Sequence, residues 1–314
     1  MERTAANNDV VLVTGASTGL GLALAKRLLT TSYRLILTAR ASSVSRFAMA
    51  GIAESERLWI RPLDVTRDAE RRCVIREADE DWGGVDVLVN NAGIAYRSVV
   101  EHFTERDDLE ELQVNFIAPM ALIQLVLPHM RAQRRGRIIN VSSVSGMMAM
   151  PTMALYSASK FALEGACESL WYEVRPWGIN VSLVEPGFIH SDSFKRTRYT
   201  PESKRAMADE TDPYHIHYKH MAGFIARLME RTTVTPESVA ARILKVMRQR
   251  NPPLRVPAGN DAHFFNFLRR LLPRRLYHYI LYTALPGIRT WGKNPPTRSG
   301  AQTVPRDPAA KWAE

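Results

Sequence analysis

Tyr156 and Lys160 stand four residues apart in the run Tyr156-Ser157-Ala158-Ser159-Lys160, and on a helix that spacing puts both side chains on one face. A phenol with an ordinary pKa of about 10 exchanges protons poorly at neutral pH. A neighbouring ammonium favours the phenolate and draws that pKa toward the range where general acid–base catalysis works. Such a pair would pass a proton to or from a substrate oxygen while Lys160 also reaches a ribose. The spacing alone carries little weight, because Tyr-x-x-x-Lys is common on helices.

Other polar residues fall where they could join the pair. Ile138-Ile139-Asn140-Val141-Ser142-Ser143 ends an apolar run in hydroxyls, and Ser143 could hold the substrate oxygen. Asn90-Asn91-Ala92-Gly93 ends another such run. Asn115 interrupts an otherwise apolar helical pattern. A buried asparagine must be hydrogen-bonded, so Asn115 either anchors backbone or holds a water in a proton path.

The elements that must position these residues follow from the hydrophobic pattern. Apolar, β-branched runs at 10–14, 35–38, 58–60, 85–90, 137–141 and 180–184 read as strands. Helical periodicity fills 19–29, 67–82, 109–131, 156–174 and 236–248. Strands that are apolar on both faces and alternate with helices predict an α/β, Rossmann-type, doubly wound parallel sheet. Ligands of such sheets bind beyond the carboxyl ends of the strands, where these polar residues lie. We expect a single domain over residues 10–258 after a polar N-terminus, 1–9. Residues 188–235, where periodicity is fragmentary, predict a substrate-covering insertion. An amphipathic basic extension at 259–293 and a poorly ordered tail at 294–314 follow.

The first strand runs into Thr14-Gly15-Ala16-Ser17-Thr18-Gly19-Leu20-Gly21, which opens a helix. Glycines there permit a tight turn and close backbone approach to a pyrophosphate, which the N–H groups of the helix N-terminus would hold. Strand before and helix after are the context a dinucleotide site requires, so Gly15, Ser17, Thr18, Gly19, Leu20 and Gly21 are cofactor candidates. The second strand ends in Ala39-Arg40 with no carboxylate to grip a ribose 2′-hydroxyl. A guanidinium there suits a 2′-phosphate and favours NADP(H). Asp64 could accept from the adenine amino group, with Val65 beside the ring.

Taken together, Thr14-Gly15-x-x-x-Gly19-x-Gly21, Asn90-Asn91-Ala92-Gly93, Asn115, Ser143 thirteen positions before Tyr156, Lys160 and Pro186-Gly187 resemble the short-chain dehydrogenase/reductase (SDR) family in order and spacing over residues 10–258. The resemblance implies a catalytic tetrad of Asn115, Ser143, Tyr156 and Lys160. Tyr156 would exchange the proton, Ser143 polarise the carbonyl, and Lys160 bind the ribose and feed protons through water on Asn115. It also implies cofactor contacts at Asn91, Ala92, Gly93, Pro186, Gly187, Ile189 and Ser191. More loosely, Thr38-Ala39-Arg40, Pro186-Gly187-Phe188-Ile189-His190-Ser191 and Asn251-Pro252-Pro253-Leu254-Arg255 are similar to the steroid- and retinol-converting branch. That implies a lipophilic ketone, aldehyde or alcohol as substrate.

The loop from Ser143 to Tyr156 carries Met147, Met150 and Met153, flexible side chains that either line an apolar pocket or simply pack beneath the loop. Phe188, Phe194 and Tyr214 of the insertion could close over the same space. The excess of 42 Lys and Arg over 32 Asp and Glu is partly local. Arg131, Arg134, Arg135 and Arg137 form a solvated helix end, whereas Arg269, Arg270, Arg274 and Arg275 alternate with aromatic and leucine residues. The stretch 264–282 therefore reads as a peripheral membrane contact, a tail docked on its own domain, or a dimer contact. The arginines belong to no recognition motif, so nucleic acid is not expected as a partner. Cys73 and Cys167 have no metal or disulfide spacing, which points to buried free thiols and no metal. The polar start lacks an apolar leader, so we expect a cytoplasmic protein, with any membrane contact on that face, and a homo-oligomer. An NAD-dependent alcohol dehydrogenase and a non-catalytic NADP(H)-sensing or membrane-surface protein are the competing functions.

Overall fold

The computed structural model describes residues 8–190 and 197–293, so Ser191, Phe194 and the tail at 294–314 lie outside the described residues. All pairings within its one sheet are parallel: β1 (Val10–Val13), β2 (Arg34–Ala39), β3 (Leu58–Pro62), β4 (Val87–Asn90), β5 (Gly136–Val141), β6 (Ile179–Pro186) and β7 (Arg255–Ala258). Their spatial order is β3-β2-β1-β4-β5-β6-β7. Helices α1 (Gly19–Leu29), α2 (Ser45–Met49), α3 (Asp68–Trp82), α4 (Glu105–Leu112), α5 (Ala118–Ala132) and α6 (Ala154–Val174) connect the first six strands. In the insertion lie α7 (Pro201–Ala208) and α8 (His215–Arg231), and α9 (Pro236–Arg248) returns to the sheet. Beyond β7 come α10 (Asn260–Leu271) and α11 (Arg274–Ala284).

Both faces of the sheet are buried, which is why its strands read as apolar runs and not as alternation. Val11 and Val13 join one layer with Leu24 and Leu28 of α1 and Ile243 of α9. Val10 and Leu12 join the opposite layer with Val74 of α3, Leu122 and Val126 of α5 and Leu163 of α6. Burying a side chain such as Leu24 or Leu122 contributes about 1.5–3 kcal/mol, so the two layers hold the strand ends in place. The strand order reverses at β1, whose chain continues to β2 on one side while β4 lies on the other, and ligands of such sheets bind beyond the carboxyl ends at that point.

The six strands anticipated from the pattern form, and β7 was not anticipated. Arg255-Val256-Pro257-Ala258 is short and contains a proline, which only an edge strand tolerates. The long apolar helix is continuous from Glu105 to Ala132 and long and apolar enough to cross a membrane by composition. Leu122, Ile123, Val126 and Met130 are nevertheless packed into the layer against the sheet, as in a core helix. Between α4 and α5 this helix makes one π-helical turn, Gln113–Ile117, and Asn115 sits inside it. Two expectations need correcting. Cys167 is buried but Cys73 is only half-buried. Arg135 is not merely solvated, because it pairs with Asp9 at 3.1 Å and Asp86 at 3.1 Å and ties the N-terminal strand to the turn before β5.

Candidate active site

The glycine turn leaves β1 with Gly15 at φ +64° and Gly19 at φ +55°, conformations that glycine adopts without strain. A Cβ at Gly15 would press on Ala92, and one at Gly21 would collide with the Gly15 carbonyl and the Asn91 amide. A Cβ at Gly19 would meet nothing within 4 Å, so the turn is tight behind and open in front. Thr18 gives α1 no side-chain cap, which leaves its first N–H groups facing that opening. This is the shape and polarity that a pyrophosphate needs.

β4 locks the turn in place. Asn91 Nδ2 donates to the carbonyls of Thr14 at 2.9 Å and Gly15 at 3.1 Å, and Thr14 Oγ1 accepts the N–H groups of Asn91 and Ala92, both at 3.0 Å. The Asn91 side chain is thus committed to holding the turn. Leu20 lies half-buried against the α1 layer, and Ser17 is buried. Arg40 stands exposed at the end of β2. Asp64 accepts Thr66 N at 3.0 Å and Thr66 Oγ1 at 2.7 Å. Burial alone would raise its pKa, but those bonds and the charges of Arg67 and Arg40 prevail and hold the carboxyl below its usual range. Val65 is buried beside it.

Ser143 ends β5, Tyr156 and Lys160 lie in the first turns of α6, and Asn115 approaches from the π-turn. Ser143 Oγ accepts Ser145 N–H at 3.1 Å, which frees its own proton to donate. Lys160 is buried with its ammonium donating to the Val141 carbonyl at 2.9 Å and lying 5.7 Å from the Tyr156 ring centre. Asn115 Oδ1 accepts Ile94 N–H at 3.0 Å, and its Nδ2 donates to Ile94 O at 2.9 Å and to Ser159 Oγ at 3.0 Å. Of the two roles considered for Asn115, these bonds describe a backbone anchor joining the β4 end to the catalytic helix.

The electrostatics correct one expectation. Burial pushes the Tyr156 phenol up to about 12, with Ser143 pulling it back and Glu111 adding to the rise. Lys160 does not lower it in this structure, because burial dominates both groups and brings the ammonium itself down to about 8 against the pull of Glu111 and Glu164. Tyr156 is therefore a well-protonated donor, and Lys160 is the neighbouring group that titrates near neutrality.

Glu111, one helical turn before Asn115, escaped the sequence reading. It is fully buried, Oε1 accepts Tyr96 N–H at 3.2 Å, and burial raises its carboxyl to about 8. Beside Glu110 at the end of an acidic helix it looks like a solvated residue; its four-residue offset from Asn115 was the available signal. Glu164, one turn after Lys160, was also missed. It accepts Ser142 Oγ at 2.7 Å and pairs with Arg255, which meets Glu185 at 3.0 Å. This buried network fastens α6 to β6 and the edge strand.

The strand-end residues Pro186 and Gly187 lead directly into the cover. Asp261 at the start of α10 accepts Phe188 N–H at 2.7 Å, the Phe188 carbonyl accepts Thr232 Oγ1 at 2.9 Å, and Ile189 packs on the α1–α9 layer. Met147 and Met148 are buried with Val144 and Tyr277, and half-buried Met150 packs against the same cluster. Met147 thus packs beneath the C-terminal helices, the plainer of its two readings. Met153 is half-buried immediately before α6. Tyr214 turns its hydroxyl to Glu101 at 2.7 Å, and it is Tyr218 that reaches inward, accepting Val99 N–H at 3.0 Å.

Residues 9–202 match the family model described as short chain dehydrogenase. The chain belongs to the short-chain dehydrogenase family. This short-chain dehydrogenase is 34% identical over 274 residues to a 3-ketodihydrosphingosine reductase of Bacteroides thetaiotaomicron, covering 87% of this chain and 96% of that protein. It is 34% identical over 255 residues to human 17-beta-hydroxysteroid dehydrogenase type 1, covering 78% and 76%. A solved short-chain dehydrogenase from Streptomyces avermitilis superposes with a TM-score of 0.70 at 28% identity, covering 88% of this chain and 98% of that one. The protein is accordingly an oxidoreductase of a family that binds NAD(P), and the open glycine turn fits that cofactor.

Proposed function

We propose that this short-chain dehydrogenase interconverts a lipophilic ketone or aldehyde and its alcohol with NADP(H), Tyr156 donating the proton in reduction and accepting it in oxidation. The observation that carries the reading is that the Ser143 and Tyr156 hydroxyls bond to each other, with the buried Lys160 ammonium 5.7 Å from the Tyr156 ring centre, at strand ends that border the glycine turn. Once bound, the nicotinamide supplies or takes up the hydride. Ser143, its oxygen already accepting from Ser145, points its proton at the carbonyl oxygen and polarises the bond. Tyr156 delivers its proton to the same oxygen as charge builds there. Lys160, held by Val141 and still largely an ammonium below its pKa of about 8, stabilises the phenolate that remains. Asn115 keeps the Ile94 backbone and the catalytic helix in register.

Arg40 supports NADP(H): it is the exposed charge at the end of β2, and a guanidinium pairs with a phosphate through charge-assisted bonds. A lipophilic substrate is supported by the relatives, one named for a ketone on a sphingoid and one for a hydroxyl on a steroid. The test is turnover of lipophilic ketones and alcohols by wild type and Arg40→Asp with each cofactor, followed by nicotinamide absorbance. We expect NADPH-preferring turnover that reverses or vanishes in the variant. An unchanged preference overturns the role of Arg40, and NADPH binding without turnover of any carbonyl assigns a sensor instead.

A further inference from the structure

Helices α10 and α11 are apolar on two sides. Toward the protein, Phe265, Leu268, Leu272 and Leu281 pack with Tyr277 on Val144, Met147 and Met148. Away from it, Phe264, Phe267 and Leu271 of α10 recur at steps of three and four, as do Leu276, Tyr279 and Ile280 of α11, and all six are exposed. A surface helix that buries one stripe is normally polar on the other. Here Phe267 keeps 62%, Leu271 62% and Tyr279 66% of its surface in solvent. Bulky apolar groups repeated along the exposed stripe of each of two consecutive helices mark a surface that meets something else.

Charge selects the occupant. Arg270, Arg274 and Arg275 are exposed beside the apolar stripe, and no Asp or Glu occurs between residues 262 and 293. Arg269, also exposed, is bonded to the Met147 carbonyl and lies over the Phe161 ring. A second copy of the chain would set like charge against like across a two-fold contact. A nucleic-acid backbone would satisfy the arginines and leave the phenylalanine and leucine side chains wet. An anionic bilayer surface answers both, with headgroup phosphates for the guanidinium groups and the acyl boundary for the rings. With 12 and 11 residues, the helices are too short to span the bilayer and of a size to lie on it.

We propose that the α10–α11 hairpin docks this protein on an anionic lipid surface, the face of Phe264, Phe267, Leu271, Tyr279 and Ile280 entering the headgroup boundary and Arg270, Arg274 and Arg275 gripping lipid phosphates. The inner face of the same hairpin rests on the loop between Ser143 and Tyr156, so a membrane-borne substrate would reach the reacting centre beneath it. That corollary rests on the lipophilic-substrate reading above, whereas the docking itself does not.

The test is cosedimentation of the full chain with vesicles of phosphatidylcholine alone or rich in phosphatidylserine, at low and high salt. Wild type should pellet with the anionic vesicles and be released by salt. Arg270→Glu, Arg274→Glu and Arg275→Glu together should weaken partitioning by about a hundredfold, given the attraction of each cation to such a surface. Phe264→Ser, Phe267→Ser and Leu271→Ser should also abolish pelleting while leaving the thermal transition of the protein in place. Equal recovery of wild type in the supernatant with both vesicle types overturns the proposal. So does a sedimentation-velocity dimer that the apolar triple variant splits, because the face then belongs to a second copy. If either variant unfolds, the wild-type dependence on phosphatidylserine and salt still decides. No turnover is read, so failure of the reductase reading would leave this result intact.

Discussion

The sheet edge beneath Tyr156 and the cover above it are held by different means. At the edge, several polar side chains are tied to backbone: Lys160 to the Val141 carbonyl, Asn115 to Ile94, Asn91 to Thr14 and Gly15. The backbone they grip belongs to strands buried on both faces, so their positions are fixed to within the rigidity of a packed core. The cover rests on separate anchors, among them Tyr218 on Val99, Asp261 on Phe188 and Arg269 on the Met147 carbonyl. Its helices α8, α10 and α11 bury only a handful of side chains, and much of the outer surface of α10 and α11 is apolar and exposed. Reaction type therefore resides in the rigid edge. We expect substrate choice to reside in the cover, which could then be changed without disturbing the chemistry.

The comparison predicts first that the edge can be disabled without touching the cover. Tyr156→Phe removes one oxygen, leaves the ring packing, and should lower kcat/KM by about 10²–10⁴, the usual range for a lost general acid. NADPH affinity, read by fluorescence titration, and thermal stability should stay near wild type. Residual turnover above a tenth of wild type would mean that Ser143 or Lys160 protonates the substrate and that the tyrosine has only a positioning role.

Loosening the cover should have the opposite signature. Asp261→Ala removes the acceptor of the Phe188 N–H, a bond that joins residues 73 apart in the chain. Leaving that donor unpaired should lower stability by about 1–3 kcal/mol. The insertion should lose its fixed approach to the nicotinamide side, raising KM for a bulky lipophilic ketone by roughly tenfold at a cost in binding energy of about 1.4 kcal/mol. The kcat for a small water-soluble ketone should hold. If both substrates lose kcat equally, Asp261 belongs functionally to the edge and the division drawn here fails.

This division also explains what could be read from the chain. The glycine turn, Ser143, Tyr156 and Lys160 were legible because each acts through its own stretch of backbone at the end of an apolar strand, and local pattern reports such positions. The β7 strand was not, because Pro253 and Pro257 erase the pattern in a strand that needs only one pairing edge. Glu111 was hidden by its acidic neighbours, since only the packed helix shows which of two adjacent glutamates faces inward. The cover was least legible. Arg269 meets the Met147 carbonyl across 122 residues and Asp261 meets Phe188 across 73, and no periodicity within either segment encodes its partner. The helices α10 and α11 show the same ambiguity in another form. Two apolar stripes on one helix read as a single amphipathic run until the fold reveals which stripe it buries.

The smallest effect on rate should come from Glu111, yet its sign is distinctive. Its folded-state pKa of about 8 lies above the usual 4.5 because burial outweighs Lys160 and Arg198, which favour the carboxylate, while Asp108 opposes it. Below pH 4.5 both folded and unfolded chains hold the proton and nothing is lost. Between pH 4.5 and about 8 the unfolded chain releases it while the folded chain keeps it, so this group makes stability fall as pH rises. Lys160, brought down from 10.5 to about 8, makes stability rise again only above that point. Glu111→Gln cannot titrate and should flatten the fall, leaving the variant more stable than wild type near pH 8 by about one to a few kcal/mol. Glu185, raised to about 7 by its own burial, contributes a slope of the same sign in both proteins and cancels in the difference. With Glu111 neutralised, Lys160 loses a group that supports its charge. The alkaline limb of kcat/KM should then move to lower pH, with less than about a threefold change at the optimum, since no group that touches substrate is removed. Paired urea titrations at pH 5 and pH 8 measure the stability difference. Parallel curves for wild type and variant would show Glu111 ionised in the folded protein, and the edge would then hold a buried carboxylate instead of a neutral acid.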